Sequence, residues 1–129
     1  MAEDVGLDML RYKNMFSKKN INSIPIEETP HSTGSRKMIA GKPDVPSPYF
    51  EAITYGYLPA NEKWEPHQHE NIIEICIVIK GTGVIRDQEG NEEVFESGDR
   101  FIFPANTFHE IENTINDTAE FYFIRLKSR

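Results

Sequence analysis

The sequence is short of cysteine, leucine and clustered positive charge, and each shortage removes a class of protein. A single cysteine, Cys76, excludes an internal disulfide and fits a reducing compartment, so a cytoplasmic location is expected. The longest apolar run, residues 75–79, falls far short of the ~20 residues that a membrane helix needs. The first residues, Met1-Ala2-Glu3-Asp4, are acidic and no apolar stretch follows them, so no secretory leader is expected. Fourteen Lys and Arg against 21 Asp and Glu leave a formal net charge of −7. Lys18-Lys19 and Arg36-Lys37 are isolated pairs that read as solvated surface. With no basic stripe, neither nucleic acid nor a membrane is expected as a partner. Only four leucines stand against fifteen isoleucines, eight phenylalanines and five tyrosines, a balance that favours strands over helices.

At 129 residues the chain is long enough for one domain with its own core. Residues 1–35 read as an N-terminal arm, a short helix or an extended segment that packs on the rest or on a partner. Leu7, Leu10, Met15 and Phe16 suit a turn or two of amphipathic helix, against which Gly6 and the polar 17–20 stretch argue. From residue 36 onward, short alternating runs are separated by turn residues. Strands are expected over 36–40, 49–58, 72–80, 83–87, 92–96, 100–103, 107–113 and 119–127. Many short strands without a repeat point to an all-β sandwich or barrel over 36–129.

Three of the four histidines fall in two segments that also carry carboxylates: His67-Gln68-His69-Glu70-Asn71-Ile72-Ile73-Glu74, and Phe108-His109-Glu110. His67, His69, Glu74 and His109 have the identities to hold one divalent metal ion (Fe, Mn, Ni or Zn). Three nitrogens and one oxygen leave two positions of an octahedron open, whereas structural zinc sites usually close the shell with cysteines. Parity adds a constraint. His67 and His69 are two apart and share a face on a strand, but Glu74 is five beyond His69 and would face the other way. The chain must turn near Glu70-Asn71 for all three to converge. With Glu74 inward, Cys76 and Val78 also point in, and Ile73, Ile75, Ile77 and Ile79 point out. So large an apolar outer face needs cover, and a homodimer with its arms exchanged or packed on the partner is expected.

These segments are also similar to those of the cupins. The first cupin motif, G-x5-H-x-H-x(3,4)-E-x6-G, is met by His67, His69, Glu74 and Gly81, and the second, G-x5-P-x-G-x2-H-x3-N, by Gly98, Pro104, His109 and Asn113. The match covers residues 58–113. Asn61 and Asn106 stand where the motifs have glycine, and asparagine is the next residue to tolerate positive φ, so both turns are expected to survive. The resemblance implies a small single-domain, RmlC-like jelly roll, a double-stranded β-helix barrel, with the three histidines and Glu74 as metal ligands.

The function expected from this is metal-dependent chemistry on a small oxygen-bearing substrate: a keto or hydroxy acid, a sugar or a phenolic. Oxygenase or Lewis-acid isomerase or lyase reactions fit such a site, with Glu74 as general base if it leaves the metal. The alternative is a non-catalytic cupin that binds or senses a small ligand. Tyr55 and Phe103 are the named candidates for the substrate wall. Tyr57, Trp64 and Tyr122 sit on or beside the same strands, and Arg36, Arg86 and Arg125 are the cations able to pair with a carboxylate. Cys76 reads as a small buried hydrophobe, and Glu70 as a solvated carboxylate in the turn.

Overall fold

The computed structural model describes residues 16–129, and for His67 and Gln68 the backbone alone. The amphipathic turns expected over 7–15 lie outside the described residues. At their near end, Phe16 is exposed. Ten strands follow: β1 (Glu27–Glu28), β2 (Ser35–Gly41), β3 (Phe50–Leu58), β4 (Lys63–Gln68), β5 (Ile72–Lys80), β6 (Gly83–Asp87), β7 (Glu92–Phe95), β8 (Arg100–Phe103), β9 (Phe108–Asn113) and β10 (Ala119–Lys127). They form two antiparallel sheets, a six-stranded one in the order β1-β2-β3-β10-β5-β8 and a four-stranded one in the order β4-β9-β6-β7. The described chain is nearly all β and contains no α-helix. The jelly-roll architecture expected from the motifs is therefore present.

Period-two alternation builds the core. Along β3, Phe50, Ala52, Thr54, Gly56 and Leu58 point inward and the residues between them point out. Along β10, Ala119, Phe121 and Phe123 do the same. The two inner faces meet on Leu58, Trp64, Val78, Phe95, Ile111 and Phe121, the apolar interior whose burial holds the sheets together.

β4 has no counterpart among the strands expected from the sequence. It carries Lys63, Glu65 and Pro66, which argue against a strand, yet among the described residues it is an edge strand paired with β9. An edge tolerates proline because one side of the strand needs no ladder donor. A bulge between Trp64 and His67 absorbs the irregularity.

The three non-glycine residues with positive φ, among those described, are Asn61 (60°), Asn71 (58°) and Asn106 (63°). The first and third are the two positions where asparagine replaces the motif glycine, and both turns are kept. Asn106 also does something glycine cannot. Its side-chain oxygen accepts a hydrogen bond from the Asn71 amide at 2.9 Å, while its own amide donates to the His69 carbonyl at 3.2 Å. The β4–β5 and β8–β9 turns are thereby tied together, which fixes the two histidine-bearing segments relative to each other. At the opposite end of β9, fully buried Asn113 plays a similar part. Its amide nitrogen lies 3.0 Å from the carbonyls of both Leu58 and Pro59 and 2.8 Å from that of Asp117, which ties the end of β3 to the turn before β10.

Candidate functional site

The turn at Glu70-Asn71 moves the chain from the four-stranded sheet (β4) to the six-stranded sheet (β5). That change of sheet resolves the parity conflict. Glu74 enters the interior from β5, followed by Cys76 and Val78 on the same face, all three at 2% exposure or less. On either side of Glu74, the register places Phe103 of β8 and Arg125 of β10.

Three side chains meet the buried carboxylate. His109 Nε2 lies 3.1 Å from Glu74 Oε1. The Arg125 Nε–H donates to Oε2 at 2.7 Å, and His69 Nε2 lies 3.6 Å from the same oxygen. Burial alone would raise the Glu74 pKa. The hydrogen bond from His109 and the charge of Arg125 outweigh it and hold the carboxyl down to about 2. His109 is oriented in turn by Phe103, whose ring is stacked on the imidazole at 3.8 Å with a 2° tilt. Arg125 is steadied by the Phe123 ring, 5.6 Å from its guanidinium carbon, and by the Thr54 hydroxyl at 3.5 Å.

Above this cluster lies a cavity of about 280 Å³, with Glu74, His69 and Arg125 in its wall beside Thr54, Trp64 and Phe123. Thr29, Pro30 and His31 line it as well. Just beyond them, the Thr33 carbonyl accepts a hydrogen bond from the Trp64 indole at 3.1 Å.

The sequence-predicted residues are distributed as follows. Glu74, His69 and His109 come together. The His67 side chain lies outside the described residues, although its backbone is paired directly with that of His109 across β4 and β9. Among the described residues no group of three His, Cys, Asp or Glu side chains has the arrangement of a formed metal site. Tyr55 faces the outer side of the six-stranded sheet, where its hydroxyl donates to Glu120 at 2.7 Å, because Thr54 and Gly56 take the inward positions of β3. Phe103 and His109 both border a second cleft, toward β6, rather than the cavity above Glu74. Cys76 is buried, and burial together with the charge of Glu74 pushes its thiol far above the ordinary range, as an inert core residue requires.

Of the three candidate arginines, Arg36 and Arg125 line the cavity and Arg86 does not. Arg86 lies across Glu92, Glu110 and Glu112, and Arg36 is paired with Glu27. Arg125 alone among them is paired with Glu74. The signal for it was present in β10: if Ala119, Phe121 and Phe123 point inward, Arg125 does too. Thr54, Phe123 and His31 were missed, because they reach the cavity only through sheet pairing and a distant loop.

A search of curated protein sequences gave no match. Solved structures do show the fold. A predicted oxalate decarboxylase from Thermotoga maritima superposes with a TM-score of 0.74 at 23% identity, covering 84% of this chain and 96% of its own. A sugar phosphate isomerase of the cupin superfamily from Silicibacter pomeroyi gives 0.69 at 23% identity, over 85% and 75%. An RmlC-like cupin from Shewanella frigidimarina gives 0.68 at 14% identity, over 86% and 90%. The family model for the cupin domain matches residues 55–125, more than half of the chain and the span from β3 to Arg125. With both motif turns in place and two sheets closed around Glu74, the chain belongs to the cupin family.

Proposed function

We propose that His67, His69, Glu74 and His109 hold one divalent metal ion, iron, manganese, nickel or zinc, and that the cavity beside them admits a small oxygen-bearing molecule for metal-dependent chemistry. The observation that carries this reading is the convergence of His69 Nε2 and His109 Nε2 on one buried carboxylate, at 3.6 and 3.1 Å, at the wall of an open cavity. Imidazole and carboxylate donors suit all four metals. When bound, the ion supplies a Lewis acid for a substrate oxygen and, with iron, a place for dioxygen. The chain's own residues do the rest. Trp64 and Phe123 give the cavity an apolar wall, Phe103 fixes the plane of His109, and residues 29–31 complete the lining. A role for Glu74 as general base requires Arg125 to move off Oε2, since a carboxylate held by that cation is a poor proton acceptor.

The test has two stages. Protein purified without added ions is expected to carry about one divalent metal per chain, and His67→Ala to lose it. Absence of bound or bindable metal in the wild type would end this reading. Incubation of the loaded protein with keto acids, hydroxy acids, sugars and phenolics should then give oxygen uptake or product. Stoichiometric binding without turnover would instead establish a sensing or binding cupin.

A second copy of the chain is the proposed partner, in the reducing cytoplasm that a lone buried thiol suits. The outer face of the six-stranded sheet carries an unbroken row across four strands, Ile53, Ile124, Ile75 and Ile102, joined by the register. Ile79 and Ile102 are 40% and 50% exposed, more than an isolated barrel needs to leave in water. Light scattering is expected to give a dimer, and a monomer unaffected by removal of residues 1–30 would exclude it. Among the described residues, no helix is long and apolar enough to cross a membrane.

A further inference from the structure

The cavity above Glu74 contains a cation whose counter-charge is the carboxylate proposed as a metal ligand. Arg125 reaches inward from β10 with its side chain 18% exposed, and its contacts to protein acceptors are Nε to Glu74 Oε2 at 2.7 Å and a long one, Nη1 to Thr54 Oγ1, at 3.5 Å. A guanidinium has five N–H donors, so most of this one is directed at no acceptor among the described residues. The other charged groups in the cavity wall are already committed. Arg36 is paired with Glu27 at 3.0 Å, and Glu51 with Lys42 at 3.2 Å. The same wall includes the apolar side chains of Trp64, Phe123, Ile111, Met38 and Ala52.

We propose that Arg125 is the anion-recognising residue of this cavity and that its ligand is a small carboxylate with an apolar or aromatic body. The inference rests on the metal-binding reading in one respect: once Glu74 also faces a divalent ion, its single negative charge no longer balances Arg125. The metal and the guanidinium then leave an uncompensated positive charge in a poorly solvated pocket. Thr54 offers a dipole and no charge. A ligand carboxylate restores balance and matches the planar fork of the guanidinium with two parallel hydrogen bonds, which a neutral sugar or an amide does not. The apolar wall receives the remainder of the molecule, and the position of Arg125 beside Glu74 brings the oxygens of such a ligand next to the ion.

The probes are benzoate and lactate, each compared with its amide, in calorimetric titrations of zinc-loaded protein whose metal content is measured on the same samples. Wild type is expected to bind the carboxylates at least about tenfold more tightly than the amides. Arg125→Gln should reduce that preference to less than about threefold while still binding zinc. Arg125→Lys keeps the charge without the fork and should retain an intermediate preference, which covers the case in which Arg125→Gln does not fold. Arg36→Gln should keep the full preference. The proposal is overturned if wild type binds acids and amides alike, if Arg125→Gln retains the preference, or if Arg36→Gln is the variant that abolishes it. Failure of wild type to take up zinc would overturn the metal reading instead. In that event, an Arg125-dependent preference for carboxylates in the metal-free protein would still uphold this assignment.

Discussion

Arg125→Met is expected to lower the stability of the metal-free protein by about 3 kcal/mol, and the double variant Glu74→Gln/Arg125→Met to recover most of that loss. The reason is the asymmetry of buried ion pairs. A pair gains little over a well-packed apolar substitute, but removing one member strands the other charge in a medium that solvates it poorly. Glu74 is 2% exposed and would keep only its contacts with His109 and His69. Replacing the carboxylate by an amide in the same variant removes the charge that needed a partner. Urea unfolding of the four proteins in a chelating buffer measures the cycle. Additive losses, with no recovery in the double variant, would mean that Arg125 stabilises by packing on Phe123 rather than by neutralising Glu74.

The same pair sets the response to acid. The folded carboxyl is held down to about 2, below its ordinary value of 4.5, so its contribution is complete above about pH 4.5 and is lost as the pH falls through 2. The stability difference between wild type and Glu74→Gln should therefore be flat from pH 7 to pH 5 and shrink only below that. A difference that already declines between pH 7 and pH 5 would mean that the carboxyl is not held as low as its contacts require.

The architecture was legible in the sequence where one residue carried two constraints. Asn61 and Asn106 stood at glycine positions of a motif, and the left-handed backbone found at both is what such positions demand. The five-residue offset between His69 and Glu74 required a turn, and the chain changes sheets there. Where a feature depended on distant pairing, local pattern did not reach it. β4 contains a proline that only its edge position permits. Tyr55 and Thr54 are equally plausible inward residues until β3 is registered against β10, which puts Thr54 beside Phe123 and Tyr55 beside Tyr122. Three arginines looked equivalent by composition, and the register of Arg125 opposite Glu74 distinguishes them. The loop before β2 is held to β4 by Trp64 and Thr33, residues 31 apart in sequence, and no short-range signal connects them.

Zinc added to chelator-treated protein at 100 times its dissociation constant is expected to stabilise the fold by about 2.7 kcal/mol, which for a chain of this length is roughly 10 °C in the thermal midpoint. His109→Ala should abolish that shift. His109 is buried and stacked on Phe103, so its removal also opens a void and lowers the starting midpoint. The informative quantity is therefore the increment caused by zinc, not the absolute midpoint. Arg125→Gln separates the metal from the ion pair more sharply. In wild type the ion must share Glu74 with a guanidinium 2.7 Å distant and tolerate that cation as a neighbour. Without the guanidinium both costs vanish, so at equal zinc the increment should be larger than in wild type. An increment that survives in His109→Ala would place the metal elsewhere on the protein. One that disappears in Arg125→Gln would mean that the guanidinium, far from competing with the ion, organises Glu74 to receive it.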